Sequence, residues 1–142
     1  MLTGVPLTLQ ESVYKYKLKI KDGDKVIEED IEIDTEKQTE TYHIPKKYSG
    51  NGGEVDIVYD FKQNLTMHRI SSAKSCFLSK FDEVMPNPSD LVKFLDQKRT
   101  SILDRNGTKL EYKVLFTLTD RSNLSDEMAF MCAKLPIFYI EK

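Results

Sequence analysis

The chain has 142 residues, 39% of them hydrophobic, and 21 Lys and Arg against 23 Asp and Glu give a formal net charge of −2. Such a length suits one domain with a modest core, and the slightly acidic balance excludes a nucleic-acid binder that neutralises phosphates through a basic face. No apolar run reaches the roughly 18 residues of a membrane-spanning helix, and residues 1–7 lack the charged and long apolar regions of a signal peptide, so a parent precursor is expected to supply a signal or membrane anchor.

In chain order, Tyr14, Tyr16, Leu18 and Ile20 alternate with Lys15, Lys17, Lys19 and Lys21. After Asp22-Gly23-Asp24-Lys25 the alternation resumes from Ile27 to Asp34. This predicts an antiparallel hairpin over about residues 14–34, with lysines facing acids on one side and apolar residues sharing the other. Two-residue and four-residue loops preserve the same parity, so the register stays open. A short strand over residues 39–44 follows. Residues 46–53 (KKYSGNGG) read as a linker or mobile loop that closes an N-terminal extension over residues 1–53. The acidic stretch 28–36 pairs with the lysines of its own hairpin; its functional alternative is neutralisation of a cationic client segment.

Residues 54–142 are expected to form a second unit. Strands are predicted near 55–61, 65–70 and 75–81, with a turn at Lys62-Gln63-Asn64. A helix opens with Asn87 as N-cap, Pro88 at its first position and Asp90 in its first turn, and Leu91, Val92, Phe94 and Leu95 give it a broad apolar face; its end beyond Arg99 is unmarked. Arg105-Asn106-Gly107-Thr108 predicts a turn before a strand over 112–119, in which Tyr112, Val114, Phe116 and Leu118 share a core face. A second helix near 123–133 sets Leu124, Met128, Met131 and Cys132 on one face, and a last strand covers 136–140. The pattern is α+β.

Enzyme chemistry finds no footing in these residues. His43 and His68 sit on predicted strands without metal-ligand spacing, no nucleophile or phosphate-loop motif occurs, and the glycines at 50, 52 and 53 precede a strand rather than a helix. No catalytic residue, metal or cofactor is expected. Asn64, Asn106 and Asn123 head Asn-x-Ser/Thr sequons, which fit a glycosylating, oxidising lumen. Asp60 lies among Ile57, Val58, Tyr59 and Phe61, where a poorly solvated sheet would disfavour its charged form.

Three segments together resemble the BRICHOS family: Val58-Tyr59-Asp60-Phe61, Ser75-Cys76-Phe77-Leu78, and Met131-Cys132-Ala133-Lys134 running into Leu135-Pro136-Ile137-Phe138-Tyr139-Ile140. Members share an aspartate in a short apolar strand, a cysteine followed by an aromatic residue, and a second cysteine before an apolar C-terminal strand. The resemblance covers roughly residues 54–140. It implies a BRICHOS domain over 54–142 with a five-stranded antiparallel sheet flanked by two helices, the β-hairpin being an extension. A Cys76–Cys132 disulfide would tie the second helix to the sheet, a stabilisation of roughly 4 kcal/mol in the chain-entropy model.

By the same resemblance Asp60 is the family's acidic residue, with a role in stability or pH-sensitive assembly, so Asp60→Asn is expected to alter the pH dependence of unfolding or oligomerisation. Phe61 and Phe77, with Tyr59, become client-binding candidates. In the surfactant protein C precursor the matching positions of the two phenylalanines are tyrosines proposed to face the client, so here an apolar contact remains without the hydroxyl. The implied function is an ATP-independent intramolecular chaperone of a secretory precursor, in the ER lumen or released outside the cell, that binds a β-prone or hydrophobic segment of the same precursor and suppresses its aggregation. Its exposed strand edges also allow a homo-oligomer. Two alternatives stand beside it. One is an extracellular regulatory module of chondromodulin type, whose ending Pro136-Ile137-Phe138-Tyr139 resembles; the other is a propeptide neutralising an antimicrobial β-hairpin peptide.

Overall fold

A computed structural model describes residues 12–22, 24–49, 52–81, 86–97, 102–104 and 113–141. Within them lie strands β1 (Val13–Asp22), β2 (Lys25–Asp34), β3 (Thr39–Ile44), β4 (Val55–Asp60), β5 (Leu65–Ile70), β6 (Ser75–Lys80), β7 (Ile102–Asp104), β8 (Lys113–Thr117) and β9 (Ile137–Glu141). The helices are α1 (Lys46–Ser49), α2 (Pro88–Gln97) and α3 (Asp126–Met131). All nine strands join one sheet in the order β7-β1-β2-β3-β4-β5-β6-β9-β8.

The hairpin folds as its alternation dictates. Asp22 pairs with Lys25, which selects the two-residue loop, and Lys15, Lys17 and Lys19 stand opposite Glu32, Asp30 and Glu28. The expected five-stranded antiparallel sheet is corrected on two counts. Strand β3 pairs with β2 on one side and along its full length with β4 on the other, from Thr39↔Asp60 to Ile44↔Val55, so the extension continues the sheet without a break. The sheet is also mixed: β1·β7 and β6·β9 run parallel. Residues 46–49, expected in a loop, form the single turn of α1.

Two turns repeat one device. Asp34 Oδ1 accepts hydrogen bonds from the amides of Glu36 and Lys37, and Gln38 closes the turn at φ 58°. Likewise Asp60 Oδ1 accepts from the amides of Lys62 and Gln63 before Asn64 at φ 57°. A short acceptor at the first position suits such turns, and Asn64 adopts left-handed backbone readily, whereas at Gln38 the side chain instead donates to the Thr35 carbonyl within the turn. Gly53 answers a different demand, because a Cβ there would stand 2.5 Å from Ser71 Oγ.

Alternation along the strands splits the core between the two faces of the sheet. On the first face Leu91, Val92 and Leu95 of α2 pack with Leu18, Ile31 and Ile33, and with the half-buried Tyr14, Tyr16 and Tyr42. Asn87 caps this helix as expected, its Oδ1 accepting from the Asp90 amide at 2.9 Å. Phe94 turns away and is 40% exposed, which corrects the predicted apolar face. On the opposite face Met128 and Cys132 pack with Val58, Met67, Cys76, Leu78 and Ile137. Helix α3 starts later than predicted, at a Ser125 cap whose hydroxyl accepts from the Met128 amide. The predicted turn at 105–108, Asn106 and Tyr112 lie outside the described residues.

Candidate functional site

Cys76 on β6 and Cys132 at the end of α3 are both fully buried and joined by a disulfide, with an S–S distance of 2.08 Å. The bond fastens α3 to the second face. Arg121 reinforces the chain after the helix by donating to the carbonyls of Cys132 and Leu135. That side of the family-like strands is therefore filled and cross-linked.

The first face differs over the same strands. Register places Ile31, Tyr42, Ile57, His68, Phe77 and Phe138 in one row across the sheet. Phe77 and Phe138 stack at 5.8 Å between ring centroids. A second aromatic series runs Tyr42 to Tyr59 at 5.5 Å, Tyr59 to Phe81 at 5.5 Å and Phe81 to Phe61 at 4.8 Å. Tyr59, Phe61, Phe77, Phe81 and Phe138 are all half-buried. Tyr59, Phe61 and Phe77, singled out from the sequence, thus share one face, where Phe61 reaches Tyr59 through Phe81. Phe81, Phe138 and Tyr42 were not singled out; their strand parity with Phe77 and Tyr59 was the available signal.

Asp60 ends β4 and is 3% exposed. Besides the two amides of its turn it accepts from the Gln63 side-chain amide at 2.9 Å through Oδ2. Both oxygens are thus engaged within the β4–β5 turn. A second buried carboxyl on the sheet is Glu40 on β3. It is 0% exposed, Tyr42 Oη donates to its Oε1 at 3.0 Å, and Oε2 has no hydrogen-bond partner among the described residues. Burial pushes its carboxyl up to about 7, partly opposed by the tyrosine hydrogen bond, and burial together with the nearby Glu40 charge pushes the Tyr42 hydroxyl up as well. Glu40 shares the parity of Tyr42 and Ile44 in an otherwise ordinary short strand, which was its only mark in the sequence.

His43 meets Asp56 Oδ1 at 2.5 Å, and Arg69 donates to Asp56 Oδ2 at 3.0 Å, forming a cross-strand cluster on the second face. His68 stands on the first face between Ile57 and Phe77. No group of three or more His, Cys, Asp or Glu that could hold a metal ion occurs among the described residues. Asn64 and Asn123 are exposed in turns.

A family model, the BRICHOS domain, matches residues 51–139, more than half of the chain. The match takes in both cysteines, Asp60 and the aromatic residues of β4, β6 and β9. Domains of this family are non-enzymatic and occur in secretory precursors. Neither the curated proteins nor the solved structures contain a match to the chain. With its cysteine pair joined and its acidic and aromatic residues in one sheet, the chain belongs to the BRICHOS family.

Proposed function

We propose that this chain is the ATP-independent chaperone domain of a secretory precursor, and that it holds a β-prone or hydrophobic segment of that precursor against the aromatic stretch of its first sheet face. The observation that carries the reading is the asymmetry of β4–β6 and β9. One face is filled by α3 and a disulfide, whereas the other presents Tyr59, Phe61, Phe77, Phe81 and Phe138 half-buried. Aromatic rings on a pleated surface give alternate side chains of an extended peptide large contacts at little entropic cost. A client held there is withheld from cross-β stacking. Strand β8 at one end of the sheet offers main-chain groups for strand addition, and for pairing with a second copy of this chain. The disulfide and the exposed Asn64 and Asn123 suit passage through the ER lumen, where both sequons are candidates for glycosylation.

The test is fibril growth of an uncharged β-forming peptide with substoichiometric oxidised protein, against a folded domain of similar size and charge. Selective delay is expected. Phe77→Ala should raise the protein needed for half-maximal delay by roughly tenfold, the loss of about 1.4 kcal/mol of aromatic contact. An unchanged requirement for Phe77→Ala and Phe61→Ala would place capture elsewhere. No delay even at equimolar protein would favour the extracellular module of chondromodulin type, to which the Pro136-Ile137-Phe138-Tyr139 ending also points.

A further inference from the structure

Strand β3 carries a carboxyl between the two halves of the first face. Glu40 stands opposite Ile33 of β2 on one side and Tyr59 of β4 on the other. It holds the Tyr42 hydroxyl through Oε1, while Oε2 is buried with no hydrogen-bond partner among the described residues. Tyr42 has two further engagements. Its ring packs against the cluster of Leu18, Ile31, Ile33, Leu91, Val92 and Leu95 in which α2 sits, and it meets Tyr59 edge to face at 5.5 Å. One tyrosine therefore touches the seat of α2 and begins the aromatic series of the proposed client face.

The charge environment of Glu40 is one-sided. Its own strand supplies Tyr42, β1 supplies Tyr14, β2 the buried Glu29, β4 Tyr59, and β5, one strand further, His68. Helix α2 carries Asp90, Lys93 and Asp96, all exposed, and Asp96 accepts from Tyr16 Oη. Among the described residues no lysine or arginine forms a salt bridge with Glu40. A buried carboxylate without such a pair must, when charged, draw in water or shift the groups around it. Burial places the change near neutrality, at about 7.

We propose that the Glu40–Tyr42 pair is a proton-operated latch on this face. With Glu40 neutral, the pair fixes Tyr42 between α2 and Tyr59. With Glu40 ionised, the bond from the Tyr42 hydroxyl strengthens, so the two side chains move as a pair: the carboxylate draws water to Oε2 and carries Tyr42 out of its packing, α2 sits less firmly on β1–β3, and the aromatic stretch opens. Its role in capture rests on the reading of this face as the client site. The sign follows from linkage: the folded value lies above the ordinary 4.5, so the stabilisation from the neutral form is full below 4.5 and is lost as pH rises through about 7. Opening therefore increases between roughly pH 6 and pH 8.

The experiment uses the full oxidised chain and its Glu40→Gln variant, which keeps an acceptor for Tyr42 and cannot ionise. Suppression is measured from pH 5.5 to 8.5 with a β-forming probe peptide that has no titrating group in that range. In parallel, NMR follows the Glu40 carboxyl carbon, the Tyr42 and Tyr59 ring signals, and α2 amide exchange in the unmodified chain. The wild-type chain should need about three- to tenfold less protein at pH 8 than at pH 6, and Glu40→Gln should keep the pH 6 requirement throughout. A variant that retains the wild-type pH profile, or a Glu40 that titrates in the ordinary carboxylate range, overturns the latch. Absence of suppression by both proteins at every pH overturns the client reading instead. In that case NMR alone decides the latch: co-titration of Glu40 with both rings, with faster α2 exchange above pH 7, upholds it, and independent titration overturns it.

Discussion

The two halves of this sheet each bury one helix, but by different means and on opposite faces. The half built from β4–β6, β8 and β9 fastens α3 with a disulfide, a side-chain cap at Ser125 and two Arg121 contacts to backbone carbonyls. The half built from β1–β3 holds α2 through Leu91, Val92 and Leu95 and one Tyr16–Asp96 hydrogen bond, the helix carrying its own Asn87 cap, and tolerates two buried carboxyls, Glu29 and Glu40. Helix α2 belongs by sequence to the segment that matches the family, yet its core partners lie in the extension. The extension is thus integral to the described fold, and it is the half that holds its helix without a disulfide.

The comparison can be broken at its strongest point first. Replacing both Cys76 and Cys132 with alanine should cost about 4 kcal/mol, since the bond closes a sequence separation of 56 residues. Urea unfolding of the variant against the oxidised chain measures it. A matched pair of truncations sharpens the comparison. Leu95→Ala and Met128→Ala each remove a nearly or fully buried side chain and should each cost about 3 kcal/mol. Amide exchange should then separate them, with Leu95→Ala lowering protection first in β1–β3 and Met128→Ala first in β4–β6. Equal loss across the whole sheet in both variants would make the halves one cooperative unit. The smallest effect expected is that of Ser125→Ala, about 1 kcal/mol from the lost cap, read as a shift in the urea midpoint without change of slope.

Much of this was legible because alternation and capping are local. The lysine and acid ladders fixed the hairpin's faces, Asn87 and Pro88 marked the start of α2, and the helical spacing of Met128 and Cys132 turned the cysteine toward the sheet. What was not legible was non-local. Nothing in Thr39-Glu40-Thr41-Tyr42 tells that β3 is flanked on both sides, and only that flanking buries Glu40. Strand β7 is three residues long and pairs in parallel with β1, so its partner is remote and its period too short to read. The same holds for the site. Tyr59, Phe61 and Phe77 could be named from their motifs, but Phe138 joined them only once β9 was placed parallel to β6.

Strand β9 is the last described strand in the chain, yet it lies inside the sheet, between β6 and β8. During synthesis the slot beside β6 must wait for residues made more than fifty positions later, and Cys76 waits equally long for Cys132. Until then β6 offers an open ladder and apolar side chains to whatever strand is near. A nascent chain of this kind is exposed to mispairing in the interval before β9 is made, so its folding yield should depend on how quickly strand insertion and closure of the disulfide follow the synthesis of β9.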